Sequence, residues 1–237
     1  PLLGLALRPL VPTLLIPETY QGFLYLCALP ATVQSAIAFT SVARGNVAAA
    51  ICSAATSSLL GVFLSPLLVG LLLSAQEQTD RAVMLQLLLP FILGHLSRPL
   101  TAAWVAKNRH LIRITDQSSI LLVVYTAFSE AVLEGIWSRV SLGTLVIIGV
   151  VSLALLAVVL AFATYSARAL GFNKADEITI VFCGSKKSLA NGIPMANILF
   201  PPASVGILVL PLMLFHQIQL MLCAVLAQRY AKRPQED

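Results

Sequence analysis

Lys186 and Lys187 stand side by side in a segment, ITIVFCGSKKSLANGIPMANILF (178–200), that is otherwise apolar enough for a lipid bilayer. Ammonium groups at membrane depth are expensive, so they face a cavity, a partner or a substrate. Ser185, Ser188 and Asn191 surround them, and Gly192 and Pro194 follow. A second polar break, LPATVQSA, places Thr32, Gln34 and Ser35 after Pro30 in mid-segment. Backbone that leaves the helix at that depth must be buried in protein or line a cavity. The chemistry these residue types supply is recognition: ammonium, hydroxyl and amide donors offered to an anion. A Ser-Lys dyad, Ser185 or Ser188 with Lys186 or Lys187, would require a desolvated lysine as base to an adjacent serine. Immediate neighbours on a helix point about 100° apart, and no oxyanion motif accompanies them, so an enzyme is not expected. His216 lies near the middle of a later apolar segment. It suits either a proton relay, its unperturbed pKa being about 6.5, or a single interhelical hydrogen bond.

These groups sit in a chain that is 58% hydrophobic and 11% charged, with mean hydropathy +0.90. A soluble domain carries roughly 25% charged residues, so this is an integral membrane protein. The net charge of +5 does not call for nucleic acid, because the basic residues cluster beside apolar spans. Cys27, Cys52, Cys183 and Cys223 lie in apolar stretches without metal-ligand spacing and read as small packing residues. No phosphate-binding GxxxxGK[ST] loop is present, which argues against a self-contained ATP-driven pump. The opening Pro-Leu-Leu-Gly reads as the middle of a hydrophobic segment of a longer protein rather than as a signal peptide.

A spanning helix needs about 20 mostly apolar residues. On that basis spans are expected over 20–43, 46–74, 82–105, 116–137, 141–168, 175–200 and 203–229, with residues 1–16 as the tail of an earlier one. The basic stretch 98–115 is expected as a connection that is partly interfacial helix. Placed on alternate sides, Arg44, Arg98, Lys107, Arg109, Arg113, Arg168, Lys174, Arg229, Lys232 and Arg233 fall together, against Arg8, Arg81 and Arg139. The richer side, with the C-terminus, is therefore cytoplasmic, and the inner (plasma) membrane is the expected location. His95 and Arg98 read as interfacial anchors. Glu130 and Glu134, one turn apart on a helix, read as a solvated vestibule or a cation site.

The broken spans 20–43 and 175–200 enter from opposite sides, and each is followed by a very short connection and a long span. Paired interrupted helices in matching places of two halves are the best sequence pointer to a transporter's binding site. Small residues after Asn46 (AAAICSAATSS) suit close packing. Asn46 itself lies at a tight turn, where Asn favours a cap.

The strings LPATVQSAIAFTSVARGNVAAA, TDQSSILLVVYTAFSEAV, FNKADEITIVFCGSKKSLANGIPMANILFP and PLMLFHQIQLM make the chain resemble the bile acid:sodium symporter family, in its divergent bacterial, sodium/bile acid cotransporter 7-like branch. The resemblance implies an all-α polytopic membrane protein with an inverted five-plus-five repeat, a core domain with two broken, crossing helices, and a panel domain. It implies that the first helices are missing from this chain. Residues 1–74 would be the remainder of the first repeat (end of helix three, broken helix four, helix five). Residues 75–140 would be panel helices six and seven, and 141–237 core helices eight to ten with broken helix nine. Family members bind two sodium ions at the crossing. Aligned on CGSKKS and GNVA, their glutamate ligand falls at Phe182 and their Ser and Thr ligands at Ala50 and Ala54, none of which can hold sodium. The family's Gln-Asn pair falls at Lys186 and Lys187, and Asn46 stays in play through GNVA.

The expectation is thus a secondary transporter of a small organic anion, with Lys186 and Lys187 replacing a sodium site. Thr32, Gln34, Ser35, Asn46, Ser185, Ser188, Asn191 and His216 are its further binding candidates. The alternatives are a sodium-coupled symporter with non-standard ligands and a regulatory membrane protein with vestigial transport. The expected partners are the organic anion and the bilayer, with no nucleic acid. Homo-oligomerisation stays open.

Overall fold

The computed structural model describes residues 1–73, 81–133, 135 and 140–233, and all regular structure among them is helical. In chain order the helices are α1 (Leu2–Ala6), α2 (Pro17–Ala28), α3 (Val33–Val42), α4 (Val47–Leu72), α5 (Arg81–Lys107), α6 (Arg109–Leu133), α7 (Leu142–Ala169), α8 (Lys174–Ser185), α9 (Leu189–Leu199) and α10 (Pro202–Ala231). Among the described residues, α7 and the 204–231 stretch of α10 are long and apolar enough to cross a membrane singly. The pair α2 and α3 qualifies jointly with a bend of 65°, and α4 with a bend of 53° between Gly61 and Phe63.

The breaks have local causes. α2 starts on Pro17 with Glu18 in its first turn, and it ends before Pro30, whose ring and missing N–H do not allow the helix to continue. α8 starts where Asn173 Oδ1 accepts the Asp176 N–H at 2.9 Å, with Asp176 and Glu177 in the first turn. It stops at Ser185, and Lys186 is extended (φ −84°, ψ 143°). Ser188 restarts the chain as the cap of α9, accepting the Asn191 N–H at 3.2 Å.

Two expected connections differ from the fold. Residues 1–16 do not continue one span; they form the five-residue α1 and a 3-10 turn at Arg8–Leu10, and Pro9 and Pro12 limit helix there. The 98–115 stretch is not a connection. α5 runs through Pro99 to Lys107, and only Asn108 separates it from α6. Asn108 Nδ2 donates to the Trp104 carbonyl at 2.9 Å and satisfies an end of α5, so charge alone did not break the helix.

α10 is the spine. It packs against α2, α7, α9, α3 and α6, while α8 lies against α7, α3 and α4. The main core joins Phe23, Tyr25 and Leu26 of α2 to Leu156 of α7, Ile193 of α9 and Leu212 of α10. Close approach depends on Gly22: a Cβ there would strike the Leu208 carbonyl and sit 2.9 Å from Pro211 Cγ. Backbone cannot yield as a side-chain tip does, so Gly22→Val is expected to cost at least about 3 kcal/mol. Thermal unfolding in detergent checks this. At the foot of α8, Glu177 is 3% exposed, and its carboxylate accepts from Arg168 (3.1 and 3.3 Å) and Lys174 (2.6 Å). This charge is buried because it is paired twice, and it ties the end of α7 to α8.

Candidate functional site

The two interruptions meet. Ser188 N–H donates to the Pro30 carbonyl at 3.1 Å, and Thr32 Oγ1 donates to the Lys187 carbonyl at 2.7 Å. A helix end leaves carbonyls without intrahelical donors, and buried ones must find others. At the end of α2 they do. Lys187 Nζ donates to Leu29 O at 2.8 Å and Cys27 O at 3.3 Å, and Ser65 Oγ donates to Ala28 O at 2.7 Å. The Ala31 N–H goes to Ser57 Oγ at 3.2 Å. Lys187 is therefore a cation at a helix C-terminus, where the helix dipole favours it.

The Lys187 backbone is held from α10. Gln219 Oε1 accepts the Lys187 N–H at 2.9 Å, and Gln219 Nε2 donates to the Lys187 carbonyl at 2.9 Å. The same Nε2 lies 2.9 Å from His216 Nδ1, and His216 Nδ1 lies 3.3 Å from the Lys187 carbonyl. Gln219 is wholly buried and was not among the residues expected at the site. The signal for it was an amide three residues beyond His216 on one face of an apolar span. Gln219→Leu removes both partners of one backbone unit, so a loss of roughly 2–4 kcal/mol is expected in thermal unfolding.

Lys186 differs from its neighbour. Extended backbone alternates its side chains, so Ser185 and Lys187 line one hollow while Lys186 turns away from it. That hollow, about 270 Å3, is also walled by Cys27, Leu155, Val159 and Phe215. Lys186 is 1% exposed, with Nζ 4.1 Å from the centroid of Phe39 and 6.0 Å from that of Phe182. The Cys223 thiol is the polar group beside it. Lys186 Nζ finds no oxygen or nitrogen partner among the described residues. The same is true of the buried Ser35 and Ser185 hydroxyls. Burying an ammonium without a counter-charge costs several kcal/mol.

The other expected residues divide. Thr32 and Ser188 join the meeting point through the bonds above. Gln34 and Asn191 are exposed on α3 and α9, and of Asn191 only the backbone N–H takes part, in the Ser188 cap. Asn46 lies elsewhere. It caps α4 through the Ala49 N–H at 3.0 Å and donates to Asp176 Oδ1 at 2.8 Å, fastening the 45–46 turn to the start of α8. Phe182, Ala50 and Ala54 are fully buried and offer no side-chain oxygen, so this set does not fit sodium. The side chains of His95 and Glu130, and Glu134 as a whole, lie outside the described residues.

Residues 1–232 match the SBF-like CPA transporter family. The chain is 64% identical over 242 residues to "Putative symporter YfeH" of Escherichia coli (strain K12), covering all of this chain and 73% of that protein. It is 61% identical over 239 residues to "Uncharacterized protein PA2026" of Pseudomonas aeruginosa, covering 98% of this chain and 72% of the relative. It is 28% identical over 216 residues to "Sodium/bile acid cotransporter 7" of Rattus norvegicus, covering 87% of this chain and 63% of that protein.

Proposed function

The chain belongs to the SBF-like CPA transporter family, and on that premise we propose that it is a secondary-active membrane transporter of a small organic anion. One observation carries this reading. Two helix interruptions are bonded to each other, and beside them lies a buried ammonium, Lys186, with no anion of its own among the described residues. In this reading α2–α4 and α8–α10 are the two inverted units, each a broken helix followed by a long one. Their breaks cross halfway through the bilayer, and α5–α6 form the panel. Lys186 supplies the positive charge that sodium supplies in relatives of the bile acid:sodium symporter type. Ser185 lines the adjoining hollow, on the side of the chain away from Lys186. Lys187 and Gln219 hold the backbone that presents them. The protein lies in the inner membrane with its C-terminus in the cytoplasm, following the distribution of Lys and Arg.

Sodium coupling is the second reading. The rat relative's name joins sodium to bile acid. The buried, unpartnered hydroxyls of Ser35, Ser58 and Ser185 are the oxygens it would have to use. The experiment is uptake into liposomes holding the purified protein, with radiolabelled taurocholate and a panel of smaller carboxylates. Saturable uptake of at least one anion is expected, and uptake no faster than in empty liposomes for every anion would overturn the transport reading.

A further inference from the structure

The hollow of about 270 Å3 beside the meeting point is lined by donors that the fold leaves unused. Ser185 is 2% exposed, and its hydroxyl has no partner among the described residues, not even a carbonyl of its own helix. A buried hydroxyl without a partner is a cost that an acceptor in the hollow would remove. Lys187 lines the same hollow, and an ammonium carries three N–H donors. Two of them go to the Leu29 and Cys27 carbonyls, at 2.8 and 3.3 Å, and the third has no acceptor among the described residues. The extended step at Lys186 sets the Cα atoms of 185 and 187 about 7 Å apart with both side chains on one side of the chain. A carboxylate between them can take one donor on each oxygen.

The walls decide the rest of the ligand. Lys187 is the one basic side chain on them, and no Asp or Glu faces it there. One ammonium balances one negative charge, and a second charge on the ligand would be buried unpaired. Leu2, Leu3, Leu26, Leu155, Val159 and Phe215 make most of the remaining wall apolar, which suits an alkyl chain. At about 270 Å3 the hollow is smaller than the roughly 300–1,000 Å3 of sites that enclose drug-sized ligands, so the ligand is small. Gly184 leaves the space beside it clear: a Cβ there would meet nothing within 4 Å. We infer that this hollow binds a small aliphatic monocarboxylate, its carboxylate between Ser185 Oγ and Lys187 Nζ and its alkyl chain against Leu155, Val159 and Phe215. The inference rests on the transport reading and names the class of anion carried, with Lys186 as the fixed charge on the opposite side of the chain.

The test is equilibrium binding of radiolabelled pentanoate to the purified protein in detergent, read by scintillation proximity. Saturable binding is expected, with pentan-1-ol, succinate and inorganic phosphate each at least about ten-fold weaker as competitors. Ser185→Ala is expected to weaken pentanoate roughly ten-fold, the worth of one hydrogen bond to a charged group. Gly184→Leu, whose Cβ has room, is expected to fill the hollow and abolish binding without lowering the thermal midpoint. If Ser185→Ala does not fold, Gly184→Leu carries the test. Absence of saturable pentanoate binding overturns the proposal. So does binding that both substitutions leave unchanged, which would put the anion elsewhere. Equal competition by succinate or phosphate also overturns it, because a doubly charged ligand would then be accommodated. Binding and uptake are separate readouts: loss of the first with uptake intact rejects the hollow and spares transport, and binding without any uptake does the reverse.

Discussion

Lys186→Met is expected to abolish uptake while making the protein more stable. The two effects share one cause. The ammonium is buried without an oxygen partner among the described residues, and replacing such a charge by an apolar side chain of similar length gains about 1–4 kcal/mol. Loss of the contact with the Phe39 ring gives back up to roughly 2 kcal/mol. A thioether beside an aromatic ring recovers part of that. A net gain of about 1–2 kcal/mol should raise the thermal midpoint by several degrees. Uptake should fall by at least about a hundred-fold, the worth of a charged partner in a site that excludes water. A variant that is destabilised and still transports would make Lys186 structural.

Lys187→Met is expected to move stability the other way. Methionine at 187 leaves Leu29 O and Cys27 O without their donor in the interior, and the end of α2 loses its cation. Two unsatisfied carbonyls cost about 3–5 kcal/mol together. The thermal midpoint in detergent should drop by roughly 8 °C or more, and folded protein should be recovered in lower yield. Adjacent residues of one type, substituted alike, thus shift stability in opposite directions. If both substitutions stabilise, or both destabilise equally, the division between a free ammonium and a capping one fails.

Much of this was legible because bilayers punish local irregularity. Pro30 and the run GSKKS cannot be part of an uninterrupted apolar helix, so both breaks could be placed to within a few residues. The 141–168 and 203–229 spans needed only their lack of charge. The charge density of the 98–115 stretch suggests a connection that is only partly helix, whereas α5 and α6 run through all of it but Asn108. Arg and Lys are good helix formers, and Pro99 is accommodated inside α5.

Within the site, sequence identified residues but not their partners. The helical spacing first considered for Lys186 and Lys187 gives way to an extended step, which sends one side chain to the end of α2 and the other into an aromatic pocket. No local pattern encodes that, because the carbonyls of Cys27 and Leu29 lie more than a hundred residues away in sequence. Ser57 reads as a small packing residue, yet with Ser65 it closes the first break's hydrogen bonds. Asn46 behaved as its turn chemistry predicts.

In the proposed transport reading, the Lys186 ammonium takes the place of a bound sodium ion. Saturable binding of radioactive sodium to the purified wild-type protein tests it most directly. No saturable component is expected up to physiological sodium concentration. A saturable, displaceable sodium site in the protein with Lys186 intact would contradict it.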